Sequence, residues 1–343
     1  MTLRWKNILY TLGLFSAMFL VWHYRQDKTA ELIWFQGKTM GPITYNVKYA
    51  DPKKRNFKKE VDSLLVVFNQ SLNTYIPTSE ISKFNTSDEF QFKLPFFYEA
   101  LSVSKDIYEK TEGAFDPSIG PYINAWGFGP EDGFIPDSVY IDSLSQFVGY
   151  EKVSFTNDIV TKSDSRVNIS FSASAKGYGV DVVAEYLESK NIENYFVEIG
   201  GEVRVKGKNV ASNKSWSVGI LHPDSDELQQ KFFAIVQLKD QALATSGNYF
   251  NYHIVEGVKY GHTIDPKTGY PIEHKLLSAS VFAPTCHEAD ALATAFMVMG
   301  KETTIQFLEN HKEYDAYLLF SNDDGSISAF ATAGIENSIE KTQ

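Results

Sequence analysis

The chain has 343 residues, 43% hydrophobic, 22% charged and 14% aromatic, enough apolar surface to exclude a disordered or collagen-like protein and length for one large or two modest domains. With 32 Lys and Arg against 43 Asp and Glu, its formal net charge is −11, which lacks the basic footprint of a nucleic-acid-binding protein. Cys286 is the one cysteine, so an internal disulfide and a zinc site built on paired thiolates are excluded, leaving oxygen and nitrogen ligands for any chemistry.

Arg4 and Lys6 precede an uncharged run over residues 8–22, short for a full membrane span and long for a signal-peptide core. Both readings send the body across a membrane. No small-x-small cleavage site follows, since His23, Tyr24, Arg25 and Gln26 come next. A retained signal anchor with Trp22 and Tyr24 at the interface is therefore preferred to a cleaved signal peptide. No cysteine stands just after the run, so the chain is not expected to be a lipoprotein. This divides it into an anchor and tether, residues 1–30, and a body, residues 31–343.

The body mixes helix and strand signals. Residues 43–49 alternate like a strand, and Val61, Leu64, Leu65, Phe68 and Leu72 recur at helical spacing behind a basic lead-in at 53–59. A second helix is predicted over 95–110, with Phe97, Leu101 and Tyr108 inward and Gly113 stopping it. A third begins near Ala175 and carries Val182, Val183, Tyr186 and Leu187. Strand-like runs at 195–199 and 202–206 flank Gly200-Gly201, a pair suited to a tight hairpin. Further strands fit 216–221, 232–238, 252–255 and 277–282, followed by helix over 287–299 punctuated by Gly300. Residues 317–320 and 327–331, joined across Asn322-Asp323-Asp324-Gly325, close the chain as a hairpin. Strands and helices are segregated rather than strictly alternating, which predicts an α+β fold of mainly antiparallel sheets with flanking helices.

Four segments carry chemistry beyond folding. In Thr111-Glu112-Gly113-Ala114-Phe115-Asp116-Pro117, continued by Asn124-Ala125-Trp126-Gly127-Phe128-Gly129, small residues beside a carboxylate and an indole let backbone approach a planar ligand. In Ser172-Ala173-Ser174-Ala175-Lys176-Gly177-Tyr178, a small-residue loop enters a helix, offering unpaired amides and a lysine to an anionic phosphate. It lacks the spacing of a Walker motif. Ala244-Thr245-Ser246-Gly247-Asn248 is followed by Gly261-His262-Thr263-Ile264-Asp265-Pro266-Lys267-Thr268-Gly269. There an imidazole suited to proton transfer near neutral pH precedes a strong turn. In Asp290-Ala291-Leu292-Ala293-Thr294, a carboxylate and a hydroxyl four apart share a helix face and make hard oxygen ligands suited to Mg²⁺. Taken singly, each has a plain structural explanation: a helix end, a helix start, a turn with a packed histidine, and a side-chain hydrogen bond.

Together, in this order, the four segments resemble the ApbE family, the FAD:protein FMN transferases. The resemblance runs from Thr39-Met40-Gly41 to Gly300 and includes Ser79-Glu80-Ile81-Ser82-Lys83-Phe84-Asn85. It implies a Mg²⁺-dependent enzyme that splits the pyrophosphate of its substrate FAD, transfers FMN through its phosphate to a threonine or serine of an acceptor protein, and releases AMP. It further implies flavin contacts at Met40, Tyr75, Ala114, Phe115, Asp116, Ser172, Tyr178 and Ile264, with Lys176 facing phosphate. The implied metal shell is the main chain at Ala175, the side chains of Asp290 and Thr294, and the Ala293 carbonyl, and His262 is the implied base for the acceptor hydroxyl. The acceptors are expected to be extracytoplasmic redox or respiratory proteins, and the body is expected on the periplasmic face of the bacterial inner membrane. The family's Asp-Leu-Gly-Gly-Ile or Asp-Leu-Asn-Ala-Ile type lead-in is replaced here by Ser170-Phe171-Ser172-Ala173-Ser174, so no role is carried over to Ser170. Two alternatives stay open: an FAD pyrophosphatase with water in place of the acceptor, and a non-catalytic flavin-binding protein. The second has no need of Asp290, Thr294 and His262.

Overall fold

The computed structural model describes residues 10–20, 31–129, 136–225, 231–248, 252–255 and 258–341. Residues 10–20 form a helix, α1, and its apolar side chains Leu12, Leu14, Phe15, Met18 and Leu20 are all exposed. Among the described residues no helix is long and apolar enough to cross a membrane. Both ends of the 8–22 run, with Trp22 and Tyr24, lie outside the described residues.

The body opens with an antiparallel hairpin of β1 (Glu31–Thr39) and β2 (Ile43–Asp51), in register from Glu31 opposite Asp51 to Thr39 opposite Ile43. Its loop turns through Met40 and Gly41, at φ 49° and 82°. There follow α2 (Lys58–Leu72), α3 (Glu80–Asn85), β3 (Glu89–Gln91), α4 (Phe97–Lys110), α5 (Gly120–Ala125), α6 (Ser138–Ser145), β4 (Val153–Phe155), β5 (Ile159–Lys162) and α7 (Ala175–Ser189). Then come β6 (Tyr195–Ile199), β7 (Glu202–Lys206), β8 (Trp216–Leu221), β9 (Phe232–Leu238), β10 (Gln241–Gly247), β11 (Tyr252–Val255), β12 (Val258–Gly261) and β13 (Leu276–Ala283). The chain closes with α8 (Cys286–Asn310), β14 (Asp315–Ser321), β15 (Ile327–Ala331) and β16 (Ile339–Lys341).

Eight strands form one sheet in the order β1-β2-β6-β7-β10-β13-β14-β15, antiparallel throughout. Three small antiparallel sheets, β16-β9-β8, β3-β5-β4 and β11-β12, complete the α+β fold. Helix α8 buries Leu292, Ala293 and Phe296 against Ala244, Ala279 and Val281 of the large sheet. The other face, through Val203, Leu243, Phe282 and Leu319, is covered by Trp216, Ile220, Val236 and Leu238 of the β8–β9 pair. A strand covered on both sides needs no polar alternation, which is why β13 reads as an almost continuous apolar run. Helix α7 joins β2 and β6 in a second cluster through Val180, Val183 and Leu187.

Helices α7 and α8 approach so closely that a Cβ at Gly177 would lie 2.2 Å from the Cys286 carbonyl oxygen and 2.7 Å from Asp290 Cβ. Helix α8 runs past the predicted stop to Asn310, but Gly300 (φ 75°, ψ 176°) breaks it where expected. At that break the His274 imidazole Nε2–H donates to the Met297 carbonyl at 2.5 Å.

Candidate active site

The site is built where α7 and α8 start side by side, and each helix is capped by a carboxylate of the other. Asp290 Oδ2 on α8 accepts the Gly177 amide of α7 at 2.9 Å. Asp181 on α7 accepts the Cys286 and His287 amides of α8 at 2.9 and 2.8 Å and is paired with Arg204 at 2.8 Å. Helix starts leave amides unpaired and favour negative charge, so both carboxylates sit where the helices want them. Two amides of the loop into α7 are not open as the sequence suggested. Ser174 and Ala175 both donate to the Phe171 carbonyl, at 2.9 and 2.7 Å, because the loop curls into a turn before the helix.

Lys176, next to that amide, gives its ammonium to Glu202 Oε1 at 2.5 Å. Glu202 is 2% and Asp290 3% exposed. Burial works against the charged lysine, yet the two carboxyls facing it hold its pKa above the ordinary value. One ammonium cannot neutralise both acids, so burial, only partly relieved by Lys176, raises Glu202 and Asp290. Thr294, one turn after Asp290, has its Oγ1 3.2 Å from Ser246 Oγ on β10 and 3.4 Å from the Ala173 carbonyl oxygen. Ala293 is fully buried against the sheet.

A cleft of about 140 Å³ opens beside this cluster, lined among others by Met40, Phe68, Asn69, Tyr75, Ser172 and Lys176. It therefore brings together five of the expected residues: Met40, Tyr75, Ser172, Ala175 and Lys176. Met40 is presented by the left-handed hairpin turn, and Tyr75 is 64% exposed at the rim. Asn69 fixes one wall by donating to Thr39 Oγ1 (2.9 Å) and the Leu65 carbonyl (2.7 Å), and Asn73 donates to Asn69 Oδ1 (2.8 Å). Tyr178 stands one layer back, edge-on to Phe68 (5.3 Å) and stacked on His287 (4.6 Å, 11°). Burial lowers His287 to about 3, so its imidazole is neutral packing material.

The other expected residues are arranged around this centre. Ala114 and Phe115 belong to the cluster beneath α8. Asp116 is 6% exposed, accepts the Ser118 amide at 2.7 Å, and is raised to about 6 by burial. The neighbouring Pro117 carbonyl accepts the Ser170 amide at 2.8 Å, tying this segment to the cleft wall. His262 is half-buried, with its ring edge-on to Phe128 at 6.4 Å. Thr263 donates to Asn248 Oδ1 at 3.1 Å, two residues beyond Ser246, so the histidine loop is joined through β10 to Thr294. Ile264 packs with Tyr122 and Trp126, and Trp126 Nε1 donates to the Gly269 carbonyl at 2.8 Å.

Among the described residues no group of three or more His, Cys, Asp or Glu side chains is placed to hold a metal ion. The oxygen donors around Thr294, with one carboxylate and no thiol or imidazole, instead fit a hard cation that takes few protein ligands and completes its shell with water and phosphate oxygens. Two acids on one lysine leave the cluster short of positive charge, which fits the same kind of ion. Glu202 lies outside the four segments that the sequence marks, and Ser246 lies within one of them, Ala244-Thr245-Ser246-Gly247-Asn248, without a role of its own there. They reach the cluster from strands distant in the chain, and the signal that marks Glu202 is its place directly after Gly200-Gly201.

Fold and site together define an α+β protein with a narrow mixed apolar and amide cleft opening onto an oxygen-rich, acid-excess cluster between two mutually capped helices. The chain belongs to the ApbE family, which it matches over residues 40–318. It is 39% identical over 314 residues to a FAD:protein FMN transferase of Vibrio cholerae serotype O1, covering 87% of this chain and 90% of that one. It is 35% identical to the FAD:protein FMN transferase of Haemophilus influenzae, covering 90% and 92%. The solved flavin transferase ApbE from Vibrio cholerae superposes with a TM-score of 0.79 at 36% identity, covering 90% of this chain and 99% of that one. The apo flavinyl transferase ApbE of Pseudomonas stutzeri gives 0.79 at 30%, covering 90% and 97%.

Proposed function

We propose that this protein is a FAD:protein FMN transferase that moves FMN from FAD to a threonine or serine hydroxyl of an acceptor protein, with Mg²⁺ as the metal and AMP as the leaving product. The observation that carries the reading is the cleft holding Met40, Tyr75, Ser172 and Lys176 directly beside the Asp290 and Thr294 oxygens. At about 140 Å³ it is smaller than the few hundred Å³ of a typical ligand pocket. It therefore suits one planar end of a dinucleotide while the pyrophosphate extends over the cluster.

The protein's groups divide the work. Met40, Phe68 and the Asn69–Asn73 pair grip the ring system, and Asp116 and Tyr178 support the walls. Lys176 faces the phosphates, and Asp290, Thr294 and main-chain oxygens at Ala175 and Ala293 would hold the cation. Bound there, Mg²⁺ would balance charge on the pyrophosphate and the leaving phosphate. His262 takes the proton of the acceptor hydroxyl as the new phosphate–oxygen bond forms and the pyrophosphate bond breaks.

The test is incubation with FAD, Mg²⁺ and an acceptor carrying an Asp-x-x-Ser/Thr-Gly-Ala-Ser/Thr-like segment, read by intact mass. Covalent gain of FMN on the acceptor is expected. FMN released free in solution with an unmodified acceptor would identify a pyrophosphatase instead.

A further inference from the structure

We propose that Glu202 is a positioning residue of the transfer reaction, fixing the Lys176 ammonium at the junction of the cleft and the Asp290–Thr294 cluster. The inference rests on the reading of Lys176 as the cation that faces the FAD phosphates.

Glu202 begins β7 immediately after the Gly200-Gly201 turn and is 2% exposed. Its Oε1 accepts from Lys176 at 2.5 Å, whereas its Oε2 is buried and has no hydrogen-bond partner among the described residues. A buried acid kept for packing or for bracing the fold is ordinarily satisfied at both oxygens, because a bare one is costly. Here, among the described residues, the side chain hydrogen-bonded to the carboxylate is the lysine of the cleft.

The turn is shaped for the same lysine. Gly200 sits at φ 60°, and a Cβ there would lie 3.2 Å from Lys176 Cδ and 2.8 Å from Ile43 Cγ2. Both Ile43 and Lys176 line the cleft. Glycine at 200 thus gives the lysine stem its path between turn and cleft wall, and Glu202 fixes the far end. A lysine has four flexible carbons and a point charge, so without such an anchor its ammonium would spread over several rotamers. Reaction rates are sensitive to misplacement of a charged group on this scale.

The test measures single-turnover FMN transfer and FAD affinity on the full chain for Lys176→Met, Glu202→Gln, Glu202→Asp and the double variant Lys176→Met/Glu202→Gln. Lys176→Met is expected to slow transfer by about a hundredfold, as loss of one preorganised charge-stabilising group does. Glu202→Gln should slow it by about tenfold, with a smaller effect on FAD affinity, and Glu202→Asp, which keeps the charge, should recover most of the rate. In the Lys176→Met background, Glu202→Gln should change the rate by less than about twofold, because two residues acting through one group are not additive.

The double variant removes both charges, so it provides the decisive comparison even where Glu202→Gln alone, which takes the ion-pair partner from Lys176, does not fold. A further tenfold loss on adding Glu202→Gln to Lys176→Met would show that Glu202 acts independently of the lysine, and would overturn the inference while leaving the role of Lys176 intact. Full-rate transfer by Lys176→Met would instead remove the phosphate-facing reading itself, and the inference with it.

Discussion

Asp290 serves two needs at once, since the oxygen that accepts the Gly177 amide belongs to the carboxylate read as the cation ligand. Asp290→Asn keeps a carbonyl oxygen for the amide and removes the charge. It should fold normally, judged by thermal denaturation, yet lose Mg²⁺-dependent transfer by about a hundredfold or more. Asp290→Ala should in addition lose about 1–3 kcal/mol of stability, the cost of a bare buried amide. Unchanged turnover of the Asn variant at limiting Mg²⁺ would rule out the metal assignment. For His262, the role of base predicts that His262→Ala retains FAD affinity and loses about a hundredfold in single-turnover rate. Loss of affinity with the rate intact would make it a support for the turn before Asp265.

Asp116 allows a stability test through pH. Burial raises its carboxyl from 3.8 to about 6, and an acid raised on folding favours the native state most when both states are protonated. Its contribution is therefore complete below about pH 4 and fades as pH climbs through about 6, an effect of roughly 3 kcal/mol for a shift near two units. Asp116→Asn, which stays neutral, should be more stable than the parent at pH 8 and nearly equal at pH 4 in urea unfolding. A difference of the same size at both pH values would show that the group is not perturbed. The short motifs named Asp116, His262 and Asp290 because each stands in a locally distinctive string. Ser246 stands in one of those strings too, but its part in the cluster comes only from facing Thr294 across the fold.

At the scale of elements, the α7–α8 contact is the joint on which the site depends. Gly177→Ala would push a methyl into the Cys286 carbonyl and Asp290 Cβ, where backbone cannot yield cheaply. The expected cost is about 1–3 kcal/mol, and transfer should fall further than stability because Lys176 and Asp290 move apart. Crystallographic superposition and thermal melting check both, and an unmoved α8 with full activity would contradict the joint. Strongly patterned elements were readable from the sequence: the strands at 195–199, 202–206, 216–221, 232–238 and 327–331 match β6, β7, β8, β9 and β15. Strand β10 was not predicted because Gln241–Gly247 is made of small residues with no alternation, being buried by the helices on one side and β9 on the other. Strand β1, at the start of the body, carries no strand signal of its own, since a hairpin edge strand is recognised by its partner, β2, rather than by its own composition. Helices α5 and α6 are only 6 and 8 residues long, too short for a periodic signal.

For the whole molecule, the question is what residues 1–30 contribute. Every pairing of the β1–β2 hairpin begins at Glu31 or later, so removing residues 1–30 leaves the large sheet complete. The exposed apolar side chains of α1, from Leu12 to Leu20, are not accounted for by the body's clusters and suit a lipid environment. The proposed periplasmic anchor thus predicts a clean separation of address from chemistry. The 31–343 protein should be soluble, melt at the same temperature as the full chain, and transfer FMN to a soluble acceptor at the same rate. The full chain should sediment with membranes and need detergent for release, and a reporter fused after Gln343 should be active only outside the cytoplasm. Recovery of the full chain in the soluble fraction without detergent, together with a reporter active in the cytoplasm, would remove both the anchor and the periplasmic assignment. Loss of melting temperature on truncation would instead give residues 1–30 a structural part in the body.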